Sequence, residues 1–146
     1  FLVNLQIIVN MIHFFEEDIA VPLKEKRALK AWLKQLAAEE GKKIVELNYI
    51  FCSDSYLLEI NKQYLNHNTL TDIITFDQSE KPNQIEGDIY ISYERVLENG
   101  RKLKTEENEL YRVIAHGLLH LCGYKDKSEE EEKTMREKEN FYLTKR

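Results

Sequence analysis

The stretch RVIAHGLLHLCGYKDK, residues 112–127, combines an apolar helix with a polar turn that follows it. Apolar residues at helical spacing predict a helix that runs to about Cys122, and Gly123 is a natural place for it to end. His116 and His120 are four residues apart, so a helix places them on one face with Cβ atoms about 5–6 Å apart. The stretch therefore predicts a zincin-like metal helix.

The turn supplies a third ligand for such a site. Asp126 follows His120 by six residues, beyond the glycine that lets the chain reverse. Three protein ligands with one open position are typical of catalytic zinc. The spacing of two histidines is a weak signal by itself, but two polar rings in so apolar a helix need a partner, because an unpaired buried polar group costs about 1–3 kcal/mol. We therefore predict one divalent metal on His116, His120 and Asp126.

The residue after the first histidine argues against a peptidase. Zinc peptidases of the HExxH type place a glutamate there as general base. In this chain the position is Gly117, so no carboxylate next to His116 along the chain can accept a proton.

Length and composition indicate one ordinary globular domain. The chain has 146 residues, 42% hydrophobic and 32% charged, and no apolar run reaches the roughly 18–20 residues that span a membrane. Cys52 and Cys122 are far apart and form no CxxC pair, which favours a reducing cytoplasm over a disulfide framework. The net charge of −5 argues against a wide basic surface for nucleic acid but permits a local basic groove.

The order of predicted elements indicates an α/β (α+β) fold: a single compact domain over 11–146 with a small mixed four-stranded sheet and about five helices. Residues 1–10 are expected to be a non-native or start-site leader, with a short first strand as the alternative. Ser53 and Thr105 are expected to cap helices, and Ser128 with Glu131 forms a capping box. The predicted strands are 12–15, 43–51, 71–76 and 87–92, and the predicted helices are 22–41, 54–65, 93–103, 105–122 and one from 128.

Several ordered motifs resemble one bacterial family. HGLLHLCGYKD resembles the HGxLHLxGYDH signature of the YbeY endoribonucleases, and NKQYLNHNTLTDIITF (61–76) and GDIYIS (87–92) resemble further segments of it. Met135 and Glu139 fit its C-terminal helix. The resemblance implies a compact α/β fold, one zinc-like metal held by three histidines, and cleavage of single-stranded RNA. It also implies maturation of the 3′ end of small-subunit ribosomal RNA and a part in ribosome quality control.

Asp126 stands where the family has its third histidine. Aspartate binds zinc at about 2.0–2.2 Å, so the change is a substitution of one ligand for another. An anion in place of a neutral imidazole makes the metal a weaker Lewis acid. Two histidines and a carboxylate also suit iron or manganese, so the expected ion is Zn²⁺, with Fe, Mn, Co or Ni as alternatives.

A second departure is Leu65, where the family usually carries an arginine that is thought to serve the active site. His67 and Lys125 are the candidate replacement cations that would assist the metal-bound water, and the alternative interpretation is that both are ordinary turn residues. Asp72 and Asp88, at strand starts, are interpreted as turn or backbone caps. The less favoured alternative is that they form hydrogen bonds to the metal ligands. Cys122 is expected to point away from the metal and pack as a small hydrophobe.

These expectations describe a metal-dependent endoribonuclease. A metal-activated water would attack a phosphodiester, with single-stranded RNA or ribosomal RNA and ribosome-associated proteins as partners. The protein is expected to be a cytoplasmic monomer that binds neither membrane nor DNA. Two alternatives remain open at this point: a metal-dependent hydrolase of a small molecule or peptide, and a ribosome-associated binding module with a structural metal.

Overall fold

A computed structural model describes residues 11–65, 71–106 and 108–146. One four-stranded sheet has the order β1-β2-β4-β3, in which β1, β2 and β4 are parallel and β3 is antiparallel to β4. Five helices accompany it among the described residues, which confirms the predicted α/β class and mixed sheet. The elements are β1 (Met11–Glu16), α1 (Lys26–Glu39), β2 (Lys43–Cys52), α2 (Asp54–Leu65), β3 (Ile73–Asp77), β4 (Gln84–Ser92), α3 (Tyr93–Leu103), α4 (Glu109–Leu121) and α5 (Glu129–Leu143).

Helix α4, which contains the apolar part of the 112–127 stretch, lies at the centre of the packing. It contacts β3 and β4 of the sheet and the helices α1, α3 and α5. Its residues Ile114, Leu118 and Leu119 are fully buried, and each contributes roughly 1.5–3 kcal/mol by burial. The Tyr49 hydroxyl of β2 donates a hydrogen bond to the Ile114 carbonyl at 2.8 Å, so α4 is tied to the middle of the sheet.

Gly117 allows α4 to lie directly on the sheet. A Cβ atom at this position would lie 2.9 Å from Ile73 Cδ1 and 2.9 Å from Ile89 Cγ2. Real Cβ contacts are longer, so any side chain at residue 117 would push the helix away from β3 and β4. A glutamate here would also face the sheet, which explains why the base of an HExxH peptidase has no counterpart at this position.

Overpacking a core usually costs about 1–3 kcal/mol, and two contacts below 3.0 Å place Gly117→Ala in the upper part of that range. Because alanine regains about 1 kcal/mol of helix propensity over glycine, we expect the free energy of unfolding to fall by about 1–2 kcal/mol. Urea denaturation of the purified protein measures it. Glu137→Ala, an exposed change on α5, should shift stability by no more than about 0.5 kcal/mol, and equal effects of the two variants would contradict the close approach.

Two helix starts were predicted wrongly. The first helix begins at Lys26 and not at Pro22, because Glu25 adopts a left-handed conformation (φ 51°) that breaks the helix before it. The chain bends at residues 17–19 before this helix, and the Val21 N–H donates to the Glu16 carboxylate across the bend. The fourth helix begins at Glu109, and Thr105 does not cap it: its hydroxyl donates to the Glu109 carboxylate at 2.9 Å.

The other elements agree with the sequence to within about three residues. Helix α2 and helix α3 have the predicted bounds, β3 is shifted to Ile73–Asp77, and β4 starts earlier, at Gln84. Ser53 accepts a hydrogen bond from the Tyr56 N–H at 3.2 Å, and the capping box of Ser128 and Glu131 is present. Residues 1–10 lie outside the described part of the chain. None of the described helices is long and apolar enough to cross a membrane.

Candidate metal centre

His116, His120 and Asp126 come together at the C-terminal end of α4. Asp126 Oδ2 lies 3.2 Å from His116 Nε2 and 3.3 Å from His120 Nε2. The three candidate ligand atoms all lie within 4.8 Å of one another, and all three side chains are half-buried. The structure therefore assembles the three predicted residues into one cluster that is open to solvent on one side.

A Schellman turn brings Asp126 back to the helix. The Gly123 N–H donates to the His120 carbonyl at 3.0 Å, and the Tyr124 N–H donates to the Leu119 carbonyl at 3.1 Å. Gly123 has a φ of 113°, which favours glycine. The reversal that the sequence predicted from this glycine is the feature that places Asp126 opposite both imidazoles.

Each imidazole is oriented by a hydrogen bond at Nδ1, while its Nε2 faces Asp126. His116 Nδ1 lies 2.6 Å from Glu139 Oε2 on α5, and His120 Nδ1 lies 2.9 Å from the Tyr124 carbonyl oxygen. A carbonyl only accepts, so Nδ1 of His120 carries the proton and Nε2 of the neutral ring is a bare lone pair. Metal-binding histidines in proteins are oriented in the same way by a carboxylate or a carbonyl.

The Nε2 atoms of the two histidines and the Asp126 carboxylate face a common position. In neutral His120, the Nε2 lone pair faces an ionised Asp126 oxygen at 3.3 Å, and two acceptors at this distance repel unless a proton or a metal ion lies between them. Two imidazole nitrogens and one carboxylate oxygen are a donor set that zinc accepts, and iron and manganese accept it as well. The residues present therefore fit a divalent metal.

Arg112 balances the negative charge of Glu139, the carboxylate that contacts His116. Burial acts to lower the pKa of His116, but the hydrogen bond and charge of Glu139 outweigh it and raise that pKa. Burial acts to raise the pKa of Glu139, but His116 and Arg112 outweigh it and lower that pKa. Arg112 Nη1 lies 3.0 Å from Glu139 Oε1, so Glu139 is an anion held between two donors.

A second network anchors the turn that carries Asp126. The Tyr124 hydroxyl donates to Glu40 Oε1 at 2.7 Å, Lys138 Nζ donates to Glu40 Oε2 at 3.0 Å, and the Tyr142 hydroxyl donates to the same carboxylate. Burial acts to raise the pKa of Glu40, but these hydrogen bonds outweigh it and lower the pKa below 4.5. Glu40 thus joins the end of α1 to both the turn and α5.

We expect the stability contributed by Glu40 to depend on pH. Because its pKa is lower in the folded chain than in the unfolded one, the contribution is complete above the ordinary value near 4.5 and is lost as pH falls through the lowered value. Urea denaturation of wild type and Glu40→Gln should therefore show a difference at pH 7 that shrinks below about pH 4. The exposed neighbour Glu39→Gln should show no such difference, and a constant gap across pH would contradict the assignment.

Asp72 lies beside the cluster, which the sequence interpretation did not anticipate. Its backbone carbonyl accepts a hydrogen bond from the Ser92 N–H at 2.9 Å at the start of β3, as a structural role requires. Its side chain, however, lines the hollows on both sides of His116 and Asp126. Burial raises the pKa of Asp72, and Glu139 and Asp126 add to the effect, while His116 opposes it.

Comparison with known proteins decides the family. The family model described as Endoribonuclease YbeY matches residues 11–146. The chain belongs to this family. Curated relatives named Endoribonuclease YbeY include one from Cytophaga hutchinsonii, 51% identical over 134 residues (91% of this chain and 94% of the relative), and one from Flavobacterium psychrophilum, 52% identical over 130 residues (88% and 92%).

A solved structure agrees with this membership. The solution structure of TM1509 from Thermotoga maritima matches with a TM-score of 0.63 and 30% identity, over 91% of this chain and 87% of that protein. YbeY membership makes the chain a hydrolase of the endoribonuclease class, and it bears out the resemblance seen in the motifs.

The other candidate residues of this YbeY chain have different surroundings. Lys125 is exposed and lines a separate hollow with Ser128 and Glu131. His67 lies outside the described residues, so its assisting role remains a prediction. Leu65 is 42% exposed and lines the hollow that contains His116 and His120. Cys122 packs against the main core, and burial, with the charge of Glu40, raises the pKa of its thiol to about 12.

Asp88 has no part in the cluster. Its carboxylate accepts a hydrogen bond from Asn48 Nδ2 at 3.0 Å on the neighbouring strand. The predicted cap at a strand start was wrong, because β4 begins at Gln84 and Asp88 lies within it. Glu139 and Glu40 were not recognised as supports of the site, because nothing in their local sequence distinguishes them from other helix carboxylates. For Asp72 the signal was its place directly before a strand, since strand ends commonly carry site residues.

Proposed function

We propose that this YbeY endoribonuclease holds one divalent metal on His116, His120 and Asp126 and hydrolyses single-stranded RNA next to it. The observation that carries the proposal is the convergence of two Nε2 atoms on one Asp126 oxygen, at 3.2 and 3.3 Å. Zn²⁺ is the proposed ion, with Fe, Mn, Co or Ni as alternatives for the same donor set. The metal, when bound, supplies a Lewis acid that lowers the pKa of water and neutralises charge on the phosphate.

The protein's own groups prepare the site for this chemistry. The Tyr124 carbonyl fixes the tautomer of His120, and Glu139 fixes the ring of His116. Fixing both rings before substrate arrives removes reorganisation from the reaction, and loss of such supporting groups commonly weakens metal affinity 10–100-fold.

Asp72 is the proposed proton acceptor. Its carboxylate enters the site from β3, not from the metal helix, and it lines both hollows beside His116 and Asp126. Its raised pKa makes the carboxylate a stronger base than an exposed aspartate. It thus takes the part that glutamate takes in HExxH peptidases: it accepts a proton from the attacking water at a carboxylate oxygen.

The biological setting is the one that the family likeness implies. We propose cleavage of ribosomal RNA during maturation of the 3′ end of the small-subunit RNA and a part in ribosome quality control, in the cytoplasm, by a monomer that works with ribosome-associated proteins. His67 and Lys125 remain proposed helpers. Two alternatives are not favoured: a hydrolase of small molecules or peptides, and a non-catalytic binding module. The relatives that this chain matches over most of their length are named endoribonucleases.

Cleavage of one RNA sequence presented in two forms tests this function. The purified enzyme should cut the labelled single strand and spare the same strand annealed to its complement, and a chelator should stop cleavage until a divalent metal is restored. His120→Ala should be inactive, whereas His13→Ala, on β1 away from the cluster, should keep wild-type activity. Equal cleavage with and without chelator, or equal activity of the two histidine variants, would overturn the proposal.

A further inference from the structure

One groove beside the candidate metal centre has a simple charge pattern. It runs between the C-terminal end of α2, the start of β3 and the turn after α4. Of the described residues that line it, Asp72 and Asp126 are the acids and Lys127 is the only lysine or arginine.

A phosphodiester in this groove needs more positive charge than a metal provides. The charges of Asp72 and Asp126, when both are ionised, equal that of a divalent cation, so the metal polarises the phosphate that it contacts but adds no net positive charge to the groove. RNA binding depends strongly on direct pairing of phosphates with lysine or arginine. One further cation is therefore required on the wall of the groove.

Lys127 is available to serve as that cation. Its backbone N–H donates to Glu131 Oε1 at 3.2 Å, as part of the capping arrangement that starts α5, so its position along the groove is fixed. Its side chain is exposed and has no ion pair among the described residues. Arg112 and Arg136, on the other side of His116, are instead paired with Glu139 at 3.0 and 3.6 Å.

We propose that the Lys127 ammonium binds a backbone phosphate of single-stranded RNA in the groove beside His116 and His120. The inference rests on RNA being the substrate, as proposed above, and assigns its phosphate contact to one residue. Lys133 carries the same charge on α5, six residues further along the chain, but it is exposed and lines neither hollow beside His116. The chain therefore contains its own matched control.

The salt dependence of RNA binding tests the contact. Affinity of the metal-loaded protein for a fluorescent, nuclease-resistant single-stranded 2′-O-methyl RNA is measured by anisotropy over a range of salt concentrations. Each phosphate paired on a single strand contributes about 0.7 to the slope of log affinity against log salt. Lys127→Gln should lower the slope by about 0.7, and Lys127→Arg and Lys133→Gln should leave it unchanged.

Three results separate this inference from the proposed function. An unchanged slope in Lys127→Gln, in a wild type that cleaves RNA and contains metal, overturns the phosphate contact alone. An equal fall in Lys133→Gln also overturns it, because the effect is then one of net charge. A wild type that neither binds nor cleaves single-stranded RNA overturns both. Thermal unfolding of each variant confirms that the exposed substitutions leave the fold intact.

Discussion

Asp72→Asn is expected to lower kcat for RNA cleavage by about 10²–10⁴-fold while the protein keeps its metal. The asparagine amide has nearly the shape of the carboxylate but accepts no proton, and loss of a general base commonly has an effect of this size. Asp72 lines the site without being one of the three clustered ligand residues, so metal content should remain near that of wild type. Single-turnover cleavage of a labelled oligonucleotide, with metal analysis of the same preparation, measures both quantities.

Asp88→Asn is the control for this variant. The sequence predicts both Asp72 and Asp88 at strand starts, but in the structure Asp88 lies within β4 and accepts a hydrogen bond from Asn48 at 3.0 Å, away from the cluster. Its replacement should leave kcat within about twofold, since a change of that size is under about 0.5 kcal/mol. A wild-type rate in Asp72→Asn would remove Asp72 from the chemistry, and loss of metal together with activity would make it a ligand.

Arg112→Leu is expected to lower the free energy of unfolding of the metal-free protein by about 3 kcal/mol at pH 7. Removal of one partner from a buried ion pair leaves the other charge uncompensated and costs about 3–5 kcal/mol. The Glu139 side chain is only 4% exposed and keeps His116 as a second partner, so the lower end applies. Urea denaturation at equilibrium gives the value.

Arg101→Leu is the control, because it makes the same substitution in a solvent-exposed ion pair. Arg101 lies 3.3 Å from Glu98 on α3, and its side chain is 64% exposed. Such pairs contribute little, so the expected change is below about 0.5 kcal/mol. Similar losses in Arg112→Leu and Arg101→Leu would show that Glu139 does not depend on Arg112.

The parts of the fold that the sequence predicted are those encoded by local chemistry. The capping box at Ser128, the apolar periodicity of α4 and the turn at Gly123 each act within a few residues, and the structure contains all three. The cluster of His116, His120 and Asp126 was likewise predictable, because all of its members lie within one helix and the turn that follows.

The features that were missed depend on contacts between distant segments. Glu139 lies 23 residues from His116, and Glu40 lies 84 residues from Tyr124, so no local pattern relates them. The start of α1 was misplaced because proline at residue 22 is compatible with a helix, whereas the left-handed Glu25 that delays the helix has no sequence signature. Asp72 enters the site only because β3 pairs with β4 beside α4.

The proposed function depends most directly on the metal being held by Asp126 together with the two histidines. Metal content by mass spectrometry, on wild type, Asp126→Ala and the exposed control Asp77→Ala, each purified without added metal, tests this claim. We expect about one equivalent of a divalent metal in wild type and in Asp77→Ala, and a clear loss in Asp126→Ala. A full equivalent of metal in Asp126→Ala would contradict the proposed site.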